Sequence, residues 1–249
     1  MGKRVVILGG GESGVGAALL AKRKGYEVFV SDGSSLKENY RHELLSEGIP
    51  FEEGTHTLER VLQADEVIKS PGIPESAAVM KAIRANGIRV ISEVELAYRY
   101  KGDSRIVAIT GSNGKTTTTS LVYQLCRRAG LDVALVGNIG YSFARQVALD
   151  PHELYVVEIS SFQLDDIDRF CPHVAILTNI TEDHLDRYDY VFLNYINSKF
   201  RITMNQGPAD YFIYCADDPV TLTHLKNFSI PSNQLPISMK REVSPGAFI

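Results

Sequence analysis

Short apolar runs rich in β-branched residues alternate with helical stretches along most of the chain, and this alternation restricts the fold more than any other feature. RVVIL (4–8) is typical: it is continuously apolar, as strands buried on both faces are, and it ends at glycines. Similar runs are YEVFVSD (26–32), DEVIKS (65–70), IRVIS (88–92), RIVAIT (105–110), DVALVG (132–137), LYVVEIS (154–160), HVAILTNI (173–180) and DYFIYC (210–215). Helical spacing is clearest over 14–25, 76–86, 116–129 and 190–205. Strands alternating with helices predict parallel sheets with helices on both faces.

A polar turn, YRYKGDSR (98–105), precedes a fresh strand and loop and is the best candidate for a domain boundary. We predict two α/β domains, 1–100 and 101–249. The first has the pattern of a Rossmann-like domain, and the second has the pattern of a P-loop-type α/β domain. The last stretch, SMKREVSPGAFI (238–249), is polar and offers no helix to cover the final strand, so we expect the second domain to be incomplete.

The net charge and the spacing of the cysteines argue against some classes of protein. A formal net charge of -4 argues against a general nucleic-acid binder, which needs a basic face. Cys126, Cys171 and Cys215 are odd in number and widely spaced, which indicates free thiols in a reducing compartment. No stretch approaches the roughly 18 apolar residues of a membrane span, and the chain starts without a signal peptide. We therefore expect a cytoplasmic protein that contacts neither membrane nor nucleic acid.

The first glycine-rich loop lies between the first strand and the first helix. Gly9, Gly11 and Gly14 satisfy G-x-G-x-x-G, and Asp32 ends the next strand, where an acid can bond a ribose hydroxyl. A helix N-terminus after such a loop faces a pyrophosphate in dinucleotide-binding folds. The pattern leaves three alternatives open: NAD, a UDP group, or a tight turn that binds no ligand.

The second glycine-rich loop, ITGSNGKTTTTS (109–120), is a phosphate loop of unusual spacing. The common pattern G-x-x-x-x-G-K-[ST] requires glycine at 109, where this chain has isoleucine. Lys115 and Thr116 still hold their positions for binding phosphate and Mg²⁺, and the amides of 112–116 can point at phosphate oxygens. The sequence therefore predicts ATP binding. The predicted nucleotide contacts are Gly111, Ser112, Asn113, Gly114, Lys115, Thr116 and Thr117.

Ionisable residues follow several strands of the predicted second sheet. Glu158 lies in an apolar strand, where a carboxylate is costly unless it is paired or bound to a metal. The stretch TNITEDHLDRY (178–188) places His184 among carboxylates after another strand. Because the carboxyl ends of parallel strands form the ligand crevice, we expect Lys115, Asn138, Glu158 and His184 at one rim. Lys199 lies on a predicted helix, a position that by itself favours a solvent-facing side chain.

Taken together, these motifs resemble those of the Mur ligases. The resemblance covers the whole chain and rests on SPGIP (70–74), TGSNGKTTT (110–118), GNIG (137–140), VVEISSFQL (156–164) and NITEDHLDRY (179–188). The shortened loop G-x-x-G-K-[ST] is the usual ATP loop of that family. The resemblance implies that the first domain binds a UDP-linked substrate and the second binds ATP. SSFQL and TEDHLDRY are most similar to those of the members that use ATP to add D-glutamate to UDP-N-acetylmuramoyl-L-alanine during peptidoglycan precursor synthesis.

The resemblance also implies roles for individual residues. Lys115 would stabilise the transferring phosphoryl group. Thr116 and Glu158 would serve one Mg²⁺, and His184 and Lys199 a second, with Lys199 carbamylated as the matching lysine of the family is. The implied substrate contacts are Ser13, Gly14, Asp32, Ser70, Pro71 and Gly72 toward the UDP end, and Asn138, Ser160 and Gln163 toward the muramoyl group.

Family members continue into a third, C-terminal domain, whereas this sequence stops at Ile249. The resemblance therefore predicts a monomeric fragment with little or no ligase activity. Three other functions stay open: another Mur ligase or a folylpolyglutamate synthase-like ligase, an NAD-dependent oxidoreductase based on the first loop, and a non-catalytic module that binds a UDP-sugar.

Overall fold

A computed structural model describes residues 2–249, and in it the chain forms two compact units. The first unit contains the chain up to Gly102 together with Gly140–Pro151 and Asp166–Asp168. The second contains Asp103–Ile139, His152–Asp165 and Arg169–Ile249.

Strands and helices alternate in both units. In chain order the strands are β1 Arg4–Leu8, β2 Glu27–Asp32, β3 Phe51–Glu53, β4 Glu66–Lys69, β5 Arg89–Ser92, β6 Arg105–Thr110, β7 Val133–Gly137, β8 Leu154–Glu158, β9 Val174–Leu177, β10 Tyr211–Cys215, β11 Asn233–Ser238 and β12 Ala247–Phe248. The helices are α1 Glu12–Arg23, α2 Glu38–Ser46, α3 Leu58–Val61, α4 Ala78–Ala85, α5 Glu93–Tyr100, α6 Lys115–Arg128, α7 Phe143–Leu149, α8 Ser161–Asp165, α9 Phe192–Phe200 and α10 Pro219–Leu225. Within residues 2–249, none of these helices combines the length and apolar composition needed to cross a bilayer.

The first unit is built on a parallel sheet in the order β3-β2-β1-β4-β5. The apolar residues of β1, β2, β4 and β5 are buried, as the continuous apolar runs predict, and Val6, Leu8 and Val67 pack with Met80 and Ile83 of α4. A side chain at Gly14 would collide with the chain, since a Cβ there would lie 1.7 Å from the Gly9 carbonyl oxygen. Glycine at this position therefore allows α1 to start tightly against the loop that follows β1.

Helix α7 packs on α1 and α5 of the first unit, although it follows β7 of the second in the chain. Glu12 accepts hydrogen bonds from the Ser142 backbone N–H at 3.0 Å and from Arg145 Nε at 2.7 Å. The predicted boundary at residue 101 places α7 with the second domain, and the observed contacts differ from that placement. Strand and helix patterns do not reveal which of two units a short helix will join. The two functional domains stay a prediction.

The second unit is built on a parallel sheet in the order β12-β11-β10-β9-β6-β8-β7. Ile109 of β6 pairs in register with Glu158 of β8, which also pairs with Gly137 of β7. On the other side of β6, Thr110 pairs with Leu177 of β9. The carboxyl ends of these four strands are therefore adjacent. The predicted α/β class with parallel sheets is confirmed.

Three strands of the sheets escaped sequence analysis. β3 has only three residues, two of them glutamates, and β12 has only two residues. β11, NQLPIS, is polar and contains a proline, which argues against a strand in sequence analysis. The helix predicted over 190–205 is shorter than expected, because α9 ends at Phe200 and a 3₁₀ turn follows over Arg201–Thr203.

Candidate active site

The second glycine loop is held against the end of β9. A Cβ at Gly111 would lie 1.9 Å from Thr178 Oγ1, and Gly111 has a φ of +151°, so both the space and the backbone conformation require glycine. The backbone N–H of Ser112 donates to the Asn179 carbonyl oxygen at 2.9 Å, and that of Asn113 to Asn179 Oδ1 at 3.0 Å. The loop is therefore fixed before α6 begins at Lys115.

Lys115 lies across its own loop. Its Nζ donates to the carbonyl oxygens of Gly111 at 2.8 Å and Ser112 at 2.9 Å. Among residues 2–249 no carboxylate lies within ion-pair distance of this ammonium group. A cation held only by carbonyl oxygens at a helix N-terminus forms a ready site for an anion.

Glu158 is buried at the end of β8, with 1% of its surface exposed. Its Oε2 accepts a hydrogen bond from Thr116 Oγ1 at 2.7 Å, and its Oε1 accepts one from Asn138 Nδ2 at 3.1 Å. No cationic side chain of the described chain pairs with it. A buried carboxylate bonded only to neutral donors is costly, and a carboxylate beside a hydroxyl is the oxygen donor set that Mg²⁺ prefers. These residues therefore fit a magnesium ion, although residues 2–249 hold no cluster of three or more His, Cys, Asp or Glu side chains able to bind a metal.

Lys199 is buried beneath the same loop, with 1% of its surface exposed. Its Nζ donates to the Gly111 carbonyl oxygen at 2.7 Å and lies 4.5 Å from the ring centroid of Tyr195. Burial, aided by the positive charge of Lys115, lowers the pKa of Lys199 to about 7 against the opposing effect of nearby carboxylates. The prediction of a solvent-facing side chain, which rested on the helical position of Lys199 alone, is therefore wrong.

His184 lies apart from these hydrogen bonds. Its backbone is left-handed with a φ of +51°, and its side chain is 55% exposed. The imidazole is 5.3 Å from the ring centroid of Phe162, and Nε2 is 3.5 Å from Asp183 Oδ2. In the described chain no hydrogen bond joins His184 to Lys115, Glu158 or Lys199. Of the four residues predicted at one rim, three are connected: Glu158 accepts from Asn138 and from Thr116, the residue next to Lys115. His184 is not part of this network.

Ser160 and Gln163 bond to each other just beyond β8. Gln163 Oε1 accepts from the Ser160 backbone N–H at 2.9 Å and from Ser160 Oγ at 3.1 Å. Gln163 is buried, and Ser160 is partly exposed. The pair forms the turn that leads into α8, so each side chain fixes the other.

In the first unit, the residues predicted to contact the UDP end of the substrate lie on the first turn of α1, at the end of β2 and in the loop after β4. Asp32 accepts hydrogen bonds from the backbone N–H groups of Gly10 at 2.6 Å and Ser34 at 2.7 Å. Ser70 Oγ donates to the Gly9 carbonyl oxygen at 3.4 Å, which links the loop after β4 to the loop after β1. Ser13 is partly exposed on the first turn of α1, Pro71 is partly exposed and Gly72 is exposed. The carboxyl ends of β1, β2 and β4 therefore lie at the same edge of this sheet.

Two residues that sequence analysis missed help to hold the second glycine loop in place. Asn179 bonds Asn113 with its side chain, and Tyr195 OH lies 3.1 Å from Ser112 Oγ while its ring contacts Lys199. Tyr195 could have been found, because it lies four residues before Lys199 on one helix and therefore on the same face. Asn179 had a weaker signal, its position directly after a strand.

Two family models match the chain and define its class. Residues 109–242 match the Mur ligase middle domain, and residues 3–92 match the Mur ligase MurD-like N-terminal domain. The chain belongs to the Mur ligase family.

Two individual relatives within the family are similar to the chain over nearly all of its length. The chain is 52% identical over 247 residues to the UDP-N-acetylmuramoylalanine–D-glutamate ligase of Bacteroides fragilis, covering 99% of this chain and 55% of that protein. It is 51% identical over 249 residues to the enzyme of the same name from Cytophaga hutchinsonii, covering 100% of this chain and 55% of that protein. The chain thus spans about half the length of the curated relatives it matches.

A solved structure shows the same fold at lower identity. It is the UDP-N-acetylmuramate:L-alanyl-gamma-D-glutamyl-meso-diaminopimelate ligase from Neisseria meningitides, with a TM-score of 0.65 and 21% identity. The match covers 99% of this chain and 83% of that one. At this identity the likeness extends to the arrangement of the two units' elements and not to the substrate.

Proposed function

We propose that this chain provides the UDP-substrate-binding and ATP-binding parts of a ligase that adds D-glutamate to UDP-N-acetylmuramoyl-L-alanine. One observation carries the proposal: Lys115 and Lys199 both donate to the Gly111 carbonyl oxygen, at 2.8 and 2.7 Å. Lys115, at the start of α6, supplies the positive charge that a triphosphate site requires, and Lys199 beside it has a pKa of about 7 and can also be a neutral amine. The identity to D-glutamate ligases supports the choice of substrate.

In the proposed reaction, the carboxylate of the UDP-linked substrate takes the γ-phosphoryl group of ATP. The amine of D-glutamate then attacks the acyl phosphate, so that an amide forms and phosphate leaves. Lys115 would balance charge on the transferring group, since it lies on the loop that would face the phosphates. Thr116 and Glu158 would hold a magnesium ion, which neutralises phosphate charge when bound. Gly111, Ser112, Asn113, Gly114 and Thr117 would provide the rest of the cradle.

The first unit is proposed to bind the UDP end of the substrate. The pyrophosphate would face the start of α1, close to Ser13 and Gly14, and Asp32 would lie toward the ribose. Ser70, Pro71 and Gly72 would contact the same group from the loop after β4. In the second unit, the three residues proposed to contact the muramoyl group are Asn138, Ser160 and Gln163.

A calorimetric titration of the chain with UDP-N-acetylmuramoyl-L-alanine, with NADH as the comparator, tests the proposal. We expect saturable binding of the UDP-sugar and none of NADH. Binding of NADH alone would replace the proposal with a dinucleotide-dependent function, which the first glycine loop by itself also permits.

Replacing Glu158 with glutamine should remove the effect of Mg²⁺ on ATP binding. Glutamine keeps the size of the side chain but loses the negative charge that a cation needs. We expect the affinity of the variant for ATP in Mg²⁺ to fall to the value that the wild type shows in EDTA. Glu153→Gln, which changes an exposed glutamate just before the same strand, is the matched control and should behave as the wild type. A full magnesium effect in Glu158→Gln would remove Glu158 from the proposed metal site.

Lys199 is proposed to be carbamylated and, with His184, to serve a second magnesium ion. A neutral amine attacks CO₂, forms the N–C bond and releases a proton, which turns a cation into a carboxylate. Because the pKa of Lys199 is about 7, the reactive neutral form increases as pH rises from 6 to 8. We expect a carbamate ¹³C resonance in labelled bicarbonate that grows over this range and is absent from Lys199→Arg. A resonance of equal intensity in both proteins would place the carbamate elsewhere.

A further inference from the structure

A hydrogen-bonded chain of three side chains lies beside the loop that follows β2, and neither the sequence motifs nor the proposed function accounts for it. Ser31 Oγ lies 2.8 Å from Glu52 Oε1 and 2.7 Å from His56 Nδ1. Glu52 Oε1 also accepts the backbone N–H of Thr57 at 2.8 Å. Ser31 is fully buried, and His56 is partly exposed. The hydrogen-bonded chain thus joins a partly exposed carboxylate to a partly exposed imidazole through a buried hydroxyl.

This arrangement fixes which imidazole nitrogen carries the proton. Burial acts to raise the pKa of Glu52, but the hydrogen bonds from Thr57 and Ser31 outweigh burial and hold that pKa below its ordinary value. Glu52 is therefore an ionised acceptor, and the single hydroxyl proton of Ser31 points toward it. The Ser31 oxygen must then accept from His56, so in the neutral imidazole Nδ1 carries the hydrogen and Nε2 presents a lone pair.

The Nε2 atom lies close to Gly33. A Cβ at Gly33 would lie 3.1 Å from Nε2, and no hydrogen-bond partner for Nε2 occurs within residues 2–249. Gly33 directly follows Asp32, the residue placed toward the ribose, so the next group of a bound nucleotide is its base. A hydrogen-bond acceptor of fixed tautomer is therefore held where a base would lie.

We infer that His56 is the residue that selects uracil, by accepting the N3–H of the base at Nε2. Uracil carries a hydrogen at N3, whereas cytosine presents a lone pair at the same atom and is repelled by a second acceptor. Sites built to hydrogen-bond one group discriminate strongly against an analogue that lacks it. The inference rests on the proposed binding of a UDP-linked substrate by the first unit and adds the element that chooses the base.

The test measures binding of UDP, CDP and 3-methyl-UDP to the wild type and three variants by calorimetry. His56→Asn keeps an N–H in the place of Nδ1 for Ser31 but is too short to present an acceptor at Nε2. His56→Gln can extend its amide oxygen to that place. His42→Asn, on the exposed side of α2, is the matched control. Thermal unfolding of each variant shows whether its fold is retained.

We expect the wild type and His42→Asn to bind UDP about tenfold more tightly than 3-methyl-UDP or CDP. His56→Asn should reduce this difference to about threefold or less, and His56→Gln should restore part of it. Equal binding of UDP and 3-methyl-UDP by the wild type would overturn the inference while leaving UDP binding intact, and so would unchanged discrimination in His56→Asn. If His56→Asn fails to fold, the binding of the three ligands to the wild type and to His56→Gln tests the inference instead. Failure of the wild type to bind either UDP or UDP-N-acetylmuramoyl-L-alanine would instead overturn the proposed function, and the inference with it.

Discussion

Replacing Glu93 with glutamine should make the protein more stable at pH 8 and leave its stability at pH 5 nearly unchanged. Glu93 is the first residue of α5 and is buried, with 1% of its surface exposed. Its Oε1 accepts the backbone N–H of Ala144, and its Oε2 has no hydrogen-bond partner. Burial raises the pKa of Glu93 from 4.5 to about 8, and the charge of Glu12 adds to the effect.

The sign of the pH dependence follows from this raised pKa. Below pH 4.5 the carboxyl is protonated in both the folded and the unfolded chain, so it adds no pH dependence. Between pH 4.5 and 8 the folded protein keeps a proton that the unfolded chain has released, and the free energy of unfolding falls as pH rises. This group alone should cost the wild type about 3–4 kcal/mol between pH 5 and pH 8. Glutamine has no such titration and can still accept from Ala144.

Urea denaturation at pH 5, 6, 7 and 8, followed by far-UV circular dichroism, measures the difference between the two proteins. Glu95→Gln is the contrasting variant, since Glu95 is equally buried but accepts from Arg99 Nε at 3.1 Å and from the Asp168 backbone N–H at 3.0 Å. Removing its charge leaves a partly buried Arg99 with fewer partners, so this variant should be less stable at every pH. A constant difference between Glu93→Gln and wild type from pH 5 to 8 would show that Glu93 is ionised in the folded protein.

The two glycine-rich loops were predictable because their positions follow from local rules. A strand that ends in glycine and is followed by a helix places backbone N–H groups at the carboxyl edge of a sheet, whatever the rest of the chain does. Lys115 and Thr116 were found in this way, and Glu158 was found because a carboxylate in an apolar strand needs a partner; the structure joins Thr116 to Glu158 directly. The class of fold was predictable for the same reason, since alternation of strands and helices permits few other arrangements.

The features that escaped prediction depend on contacts between distant parts of the chain. The burial of Lys199 results from α9 packing beneath Gly111, which is 88 residues earlier, and no pattern within a helix reveals such a partner. Helix α7 packs on α1 and α5 of the first unit, although α5 ends more than forty residues before α7 begins. His56 lacked a motif altogether, and only the distances to Ser31 and Gly33 give it a role. Tertiary contacts, rather than propensity, decide each of these cases.

Replacing Lys115 with methionine should weaken ATP binding by about 10- to 100-fold, because a charge-assisted hydrogen bond to a phosphate is lost. Methionine retains the length and apolar character of the stem, so α6 should still begin at the same residue. Lys115→Arg, the matched variant, keeps the positive charge and should lose less affinity, although its planar head fits the two loop carbonyls less well. Titration of each protein with ATP and Mg²⁺ gives the affinities, and thermal unfolding verifies the fold.

The same two variants, Lys115→Met and Lys115→Arg, also test whether the charge of Lys115 lowers the pKa of Lys199. The positive charge of Lys115 contributes to the lowered pKa of Lys199, so removing that charge should raise the pKa and reduce the neutral amine present at pH 7.5. Lys115→Met should therefore show a weaker carbamate resonance than the wild type at that pH, whereas Lys115→Arg should retain most of it. Weak ATP binding combined with an undiminished resonance would mean that burial alone sets the pKa of Lys199. Loss of both signals in Lys115→Met, with both largely kept in Lys115→Arg, would show that the charge of one lysine prepares the other for its reaction with CO₂.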